Sequence, residues 1–310
     1  MPLRVTLRAN SHKFRSRNDP FFTWDQKVGR LENAAFASVI PVAANLTLGC
    51  VTVFYLLGWL RLRAMFPQLV SPARLIAFLT GILFVWVAIG SPLSALDHYL
   101  LSMHMIQHLL LMSVAAPVIL LGKPDSVLSH VLPRPYVSRV VSSHFERAWI
   151  AWPRTIISSA VFCWFAGTIT MIAWHIPAVF ALGHHSAWWH EIEHATFVLA
   201  GLLFWWPVIR AREPGWSVPL YLFLATLPCD ALAAYLVFCE HVVYRPYLAS
   251  RGLLNLSPLE DQQWAGALMW VAVTFIYVVP AVAITVRLLS AASRPTPAFD
   301  PGLDQVPETT

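Results

Sequence analysis

Seven apolar stretches constrain this chain more than any other feature of its sequence. They lie at 39–60, 75–90, 98–121, 156–177, 188–209, 217–239 and 264–286. A helix needs about 20 apolar residues to cross the hydrocarbon core of a bilayer. Only 12% of the 310 residues are charged and 57% are hydrophobic, whereas soluble domains carry about 25% charged residues. The pattern therefore predicts an all-α polytopic membrane bundle of about seven transmembrane helices.

The two ends of the chain lack this apolar pattern. Residues 1–38 are polar and basic over most of their length, and residues 290–310 are rich in Pro, Asp and Thr. Such compositions are typical of disorder. We therefore expect disordered tails at 1–38 and 290–310 on either side of a transmembrane domain at 39–289. The four cysteines occur singly without CxxC spacing, which predicts neither a disulfide framework nor a zinc finger.

The distribution of basic residues predicts the orientation in the membrane. The loops 61–74, 122–155 and 210–216 carry ten Lys and Arg residues, whereas the alternate loops carry only Arg245 and Arg251. By the positive-inside bias, the first set of loops is cytoplasmic. The basic amino-terminal tail disagrees, but the loops are several independent indications. With this orientation, nine of the twelve histidines lie at or near the outer face.

Two pairs of histidines with helical spacing stand out in this outer layer. His104 and His108 share one face of the third span with Met112, and His190 and His194 share one face of the fifth. A single pair is more often explained by hydrogen bonds to its neighbours. Two pairs at the outer ends of their helices favour a site, because polar groups inside a membrane are costly and usually functional. Imidazole and thioether ligands together suit copper, particularly Cu(I).

Other polar residues could belong to the same layer. His175 ends the fourth span and Met105 lies beside His104, so both are further candidate metal ligands. Glu191 and Glu193 are plausible acceptors for the ring N–H of a ligating histidine. Asp230 is a carboxylate well inside a span and needs a partner or a proton there. The complete set of expected supporting residues is His98, Glu191, Glu193, Asp230, His241 and Asp261.

Several motifs resemble one known family. The segments DHY at 97–99 and MHMIQHLLL at 103–111, followed by WHIP at 174–177, FWWP at 204–207 and DQQ at 261–263, resemble the signature of the multi-span CtaG family. This resemblance covers about residues 40–285. It implies a non-enzymatic assembly factor for caa3-type cytochrome c oxidase in the bacterial plasma membrane, most plausibly acting in copper delivery on the outer side. The implied partners are an oxidase subunit and the lipid bilayer, with no nucleic acid.

Four functional interpretations remain open from the sequence. The leading one is copper binding through His104, His108, His190 and His194, assisted by His175 and by Met105 or Met112. The second is an integral-membrane di-metal oxygenase that uses the same histidine pairs to hold two metal ions such as iron. The third is haem binding by two histidines from facing spans. The fourth is a metal-free scaffold in which the polar layer holds the helices together.

Overall fold

The structure is a computed structural model that describes residues 20–128, 159–211, 215–249 and 256–292. Within these ranges the chain forms helices and turns, and no strand is present. The helices are α1 Pro20–Met65, α2 Pro72–Ile89, α3 Leu101–Leu121, α4 Pro124–Leu128, α5 Ala160–His175, α6 Pro177–His185, α7 Ala187–Arg210, α8 Ser217–Phe238 and α9 Pro258–Ala292.

Most of these helices have the length and hydropathy to cross a bilayer. Six qualify alone, namely α1, α2, α3, α7, α8 and α9, and the pair of α5 and α6 makes a seventh if it is counted as one span. This pair bends by 75° where Pro177, which has no N–H to donate, follows Ile176. Large apolar side chains such as Phe238 and Phe275 are 73% and 66% exposed, as expected of a surface that faces lipid. The predicted all-α polytopic bundle is confirmed.

The first helix begins earlier than the sequence predicts. It starts at Pro20, inside the stretch 1–38 that we expected to be a disordered tail. Proline is favourable at the first position of a helix, and between residues 21 and 38 no further proline and only one glycine, Gly29, occurs. The polar composition of this stretch excludes a membrane span but not a helix. Residues 1–19 lie outside the described residues, as do residues 293–310 at the other end.

Helix α3 lies at the centre of the bundle. It packs against α2, α7 and α9, and 61% of its span is buried compared with 17–39% for the other five single-helix spans. Its middle section, Leu110–Ala115, is a π-helical turn. Most side chains that project from α3 therefore point into protein rather than lipid.

Two polar side chains fix the position of α3. The carboxylate of Asp261, on α9, accepts hydrogen bonds from the backbone N–H of Leu101 at 2.6 Å and from the hydroxyl of Ser102 at 2.6 Å. A carboxylate at this place satisfies N–H groups that the first turn of a helix leaves unpaired. About one and a half turns further along α3, Gln107 donates a hydrogen bond from Nε2 to the carbonyl of Ala88 on α2 at 3.0 Å. The register and rotation of the helix that carries His104 and His108 are thereby set.

Candidate metal centre

Two pairs of histidines face each other near one end of the bundle. His104 and His108 lie one turn apart on α3 with ring centroids 4.2 Å apart, and His190 and His194 repeat this arrangement on α7. Between the helices, the ring centroids of His104 and His190 lie 5.7 Å apart, and those of His108 and His194 lie 6.3 Å apart. The structure thus brings the four imidazoles of the two predicted pairs into one cluster.

Glu193 lies directly among these imidazoles. Its Oε1 is 3.4 Å from Nε2 of His104 and 3.3 Å from Nε2 of His108, and its side chain is only 1% exposed. The backbone of Gly183 on α6 makes room for this carboxylate, since a Cβ there would lie 2.6 Å from Glu193 Oε2. The sequence predicts Glu193 as a supporting acceptor, whereas this geometry also allows it to act as a ligand.

Asp97 is a residue of this cluster that the sequence reasoning missed. Its Oδ2 lies 3.1 Å from Nε2 of His190, and its carbonyl accepts a hydrogen bond of 2.6 Å from the hydroxyl of Tyr247. Burial alone would raise the pKa of Asp97, but the close contact and positive charge of His190, with smaller effects from His98 and His104, lower it to about 2. The signal in the sequence was a carboxylate immediately before the third span, next to a histidine.

Three overlapping groups of side chains have ligand atoms close enough to share a metal ion. In each group the potential ligand atoms lie within 4.8 Å of one another. The groups are Asp97 with His104 and His190, His104 with His108 and Glu193, and His190 with Glu191 and His194. We call Asp97, His104, His108, His190, Glu193 and His194 the histidine–carboxylate cluster.

Many polar atoms of this cluster are buried without a hydrogen bond to protein. They are Nε2 of His104, both ring nitrogens of His108 and His194, and both carboxylate oxygens of Asp97 and Glu193. Proteins pair the large majority of their buried polar groups, and a buried charge without a partner costs several kcal/mol. A cation between these atoms would satisfy them. Two carboxylates with neutral imidazoles carry a charge of about −2, which fits a divalent ion, and imidazole ligands suit copper, zinc, iron and nickel.

Three of the predicted ligands lie beside the cluster rather than in it. His175 at the end of α5 contacts Met105, with 3.3 Å between Nε2 and Sδ. Both residues line a cavity of about 40 Å³ that also contains Met112 and one side of His108. The predicted ligand set is therefore divided between two neighbouring places in the bundle.

The predicted supporting residues have different surroundings. His98 is half exposed next to Asp97, and Glu191 joins one ligand group. Asp261 caps α3 instead of touching the cluster. His241 is exposed, with its ring 3.4 Å from the Cys239 sulfur. Asp230 lies in the middle of α8 and belongs to none of the three ligand groups.

A groove between α1 and α7 leads to the cluster from the side. It has a volume of about 400 Å³ and is lined by small and apolar residues, with Glu191 and His194 at its polar end. Ala43, Ala44 and Thr47 on α1 keep it wide because their side chains are short. One edge of the cluster therefore borders the groove, although both ring nitrogens of His194 are buried.

The fold and the site together define a polytopic helical membrane protein with a buried cluster of imidazoles and carboxylates that fits a metal ion. Residues 53–291 match the family model for the cytochrome c oxidase caa3 assembly factor, Caa3_CtaG. Because this match covers well over half of the chain, the protein belongs to the Caa3_CtaG family, as the motifs of the sequence imply.

Two curated mycobacterial proteins are similar to the chain. They are the uncharacterised proteins Mb0105 of Mycobacterium bovis and MT0111 of Mycobacterium tuberculosis, each 26% identical over 211 residues. The similarity covers 64% of this chain and 31% of each relative. The chain thus matches about a third of the length of these relatives. No solved structure matches it.

Proposed function

We propose that this protein binds copper in the histidine–carboxylate cluster and delivers it to a subunit of a caa3-type cytochrome c oxidase during assembly. The family provides the task, because its members are described as assembly factors for this oxidase. The site provides the chemistry. The observation that carries the proposal is the set of buried carboxylate and imidazole atoms that face one another at 3.1–3.4 Å and yet make no hydrogen bond of good geometry.

The cluster is proposed to lie on the outer side of the membrane. It sits where α3 and α7 begin and where α5 ends. Beyond residue 60, six basic residues of the described loops and helix ends lie at the opposite end of the bundle, and one, Arg245, lies at the cluster's end. The six are Arg61, Arg63, Arg74, Lys123, Arg210 and Arg287. Since Lys and Arg are enriched on the cytoplasmic side, this asymmetry supports the expected orientation. The groove beside His194 would then be the route by which copper leaves towards a partner subunit.

Removal of two shared ligands tests the proposal. His104 belongs to two of the three ligand groups and His190 also belongs to two. In the double variant His104→Ala/His190→Ala, we expect the copper content of the purified protein to fall below about one tenth of the wild-type value. Oxidase activity in the membranes of a strain that depends on this protein should fall with it. His241→Ala is the matched control, because that histidine is exposed and outside the cluster.

The result that overturns the proposal is equally specific. If the double variant retained its copper content and supported full oxidase activity, the cluster would be a metal-free layer that only holds helices together. Because imidazole ligands must be deprotonated to bind, we also expect copper binding to weaken as the pH falls below about 6.

A second candidate function is favoured by the two buried carboxylates. Asp97 and Glu193 lie in different ligand groups that share His104, so the cluster has enough ligands for two metal ions. A di-metal oxygenase needs such a set, and the histidine pairs alone would not provide it. Elemental analysis distinguishes the candidates, since this alternative requires about two iron ions per chain and oxygen consumption in the presence of a lipid.

Haem binding is less well supported by the geometry. The cavity that contains His108 has a volume of about 40 Å³, which suits a few water molecules or an ion rather than a porphyrin. A colourless preparation with bound copper would exclude it.

A further inference from the structure

Sulfur-containing side chains from separate helices line one cavity. Four of the seven methionines line it, namely Met105 and Met112 on α3, Met171 on α5 and Met269 on α9, together with Cys229 on α8. They come from four different helices, so the arrangement is not a stripe on one apolar face. The polar lining of the cavity consists of His175, one side of His108, Ser113, Thr168 and Tyr277. Cys229 is only 3% exposed.

The contact between His175 and Met105 is the second observation. Nδ1 of His175 lies 2.7 Å from the carbonyl of Met171. A carbonyl can only accept, so Nδ1 carries the proton and the neutral ring has a lone pair on Nε2. That lone pair faces Sδ of Met105 at 3.3 Å, and a thioether sulfur has no proton to donate. Two electron-pair donors thus meet without a hydrogen between them.

This separation has the size that two ligands of one metal ion would have. In tetrahedral zinc sites, the metal lies about 2.3 Å from sulfur and about 2.0 Å from imidazole nitrogen. With these bond lengths, atoms 3.3 Å apart subtend an angle of roughly 100° at the metal, close to tetrahedral. The tautomer is already fixed by the Met171 carbonyl, as is usual for ligating histidines. The carbonyl of His175 in turn accepts a hydrogen bond of 3.1 Å from Tyr244.

Two glycines make room for Met112. A Cβ on Gly167 would lie 3.2 Å from its terminal methyl group, and a Cβ on Gly201 would lie 2.7 Å from its carbonyl oxygen. The same carbonyl accepts a hydrogen bond of 3.2 Å from Trp205. Met112 also lies in the π-helical turn, a feature that often marks functional positions in helices.

We propose that this cavity is a second metal position, selective for a soft monovalent ion such as Cu(I), separate from the divalent position in the histidine–carboxylate cluster. Thioether and imidazole ligands favour Cu(I) over harder ions. No carboxylate is among the residues that line the cavity, and a single charge is less costly than a double one in such a setting. His108 borders both positions and connects them. The biological role of this second position rests on the proposed function, whereas metal binding in the cavity can be tested independently.

The test uses Ag(I) as a probe that favours sulfur ligands and Zn(II) as a probe for the cluster. The full chain in detergent is titrated with each ion, and the Ag(I)-loaded protein is examined by X-ray absorption. We expect one tight Ag(I) ion with sulfur and nitrogen neighbours. Met105→Leu and, from a different helix, Met269→Leu should each weaken Ag(I) binding at least tenfold and leave Zn(II) binding unchanged. Leucine is nearly isosteric with methionine, so both variants should fold.

The matched control is Met103→Leu, which makes the same change two residues away on the same helix but outside the cavity lining. If this variant and the cavity variants bound Ag(I) equally well, or if the bound ion had no sulfur neighbour, the methionines would be packing residues and the inference would be wrong. Failure of the proposed function has a different signature. In that case Zn(II) and copper would not bind to the cluster, while Ag(I) would still bind in the cavity.

Discussion

Two sets of polar side chains in this bundle are almost fully buried, but they differ in how well they are hydrogen-bonded. Tyr55, Asp261 and Gln262 are at most 4% exposed, and each makes hydrogen bonds across helices. Tyr55 donates to the carbonyl of Gly122 at 2.7 Å. Gln262 accepts from the N–H of Val243 at 2.7 Å and donates to the carbonyl of His241 at 3.2 Å. We call Tyr55, Asp261 and Gln262 the tie residues.

The histidine–carboxylate cluster is buried almost as deeply, yet most of its oxygens and nitrogens lack such partners. The difference separates two reasons for placing polarity inside a membrane protein. A tie residue stabilises the packing of helices, and its polar atoms make hydrogen bonds to other protein groups. The polar atoms of the cluster lack hydrogen bonds to protein, although neighbours such as Gly183 and Tyr247 hold its members in place. We therefore expect changes in the two sets to affect different measurements.

The largest expected effect is loss of metal binding without loss of fold. In Asp97→Asn/Glu193→Gln, both negative charges of the cluster are removed, and we expect the affinity for a divalent ion to fall by more than about 100-fold. The free energy of unfolding of the metal-free protein should change little, because the loss of the contact between Asp97 and His190 is offset by removal of the cost of burying two carboxylates. Metal titration and thermal unfolding in detergent check this. An unstable variant with normal metal affinity would mean that the two carboxylates stabilise the fold, as the tie residues do, and do not bind the metal ion.

The converse change should affect stability and not metal binding. Asp261→Ala leaves the N–H of Leu101 and the hydroxyl of Ser102 without their acceptor, so we expect a loss of about 2–3 kcal/mol in the free energy of unfolding. Below the lowered midpoint of unfolding, the number of metal ions bound should equal that of the wild type. Asp261→Asn, which keeps one acceptor oxygen, should be less destabilised, and equal losses in the two variants would contradict the capping role.

A smaller effect should follow from moving a ligand instead of removing it. Gly183→Ala places a methyl group where the Glu193 carboxylate now lies, and the flexible end of that side chain must shift away from His104 and His108. We expect a loss in metal affinity of about 10-fold and a change in thermal stability within about 1 kcal/mol. Gly49→Ala is a control because a Cβ there meets nothing within 4 Å. An unchanged affinity would mean that Glu193 does not contribute as a ligand.

The smallest effect is expected at a residue that belongs to neither set. His241 is exposed, and only its backbone carbonyl contacts Gln262. His241→Ala should change metal affinity less than about twofold and stability by less than about 0.5 kcal/mol. Both values can be measured alongside the other variants. A large decrease in metal binding would instead mean that the loop after α8 contributes to the site.

The sequence predicted the features that depend on local spacing. The length of an apolar run is sufficient to predict a span, and an interval of four residues places His104 beside His108 and His190 beside His194. These relations need no knowledge of how helices are arranged. The predicted end of the fourth span at residue 177 coincides with the bend at Pro177, since proline interrupts the hydrogen bonding there.

The features that depend on helix rotation could not be read in the same way. Met105 and Met112 were expected with the histidines, but rotation of α3 directs them into a neighbouring cavity with His175. Asp261 lies at the same end of the bundle as the cluster, but its carboxylate faces the start of α3 instead. Asp97 precedes its span, and only the fold of the 92–96 turn brings it to His190. Such placements follow from contacts between distant segments of the chain.

The π-helical turn at Leu110–Ala115 also affects how α3 tolerates insertions and deletions. A π-turn accommodates one residue more than an α-helical turn, so removal of one residue from it would restore a regular helix while both flanking halves kept their faces. Deletion of one residue in a regular span would rotate everything beyond it by about 100°. The central helix therefore contains the one place among its own turns where the chain could be shortened by a residue and still point His104 and Ile119 towards the same neighbours.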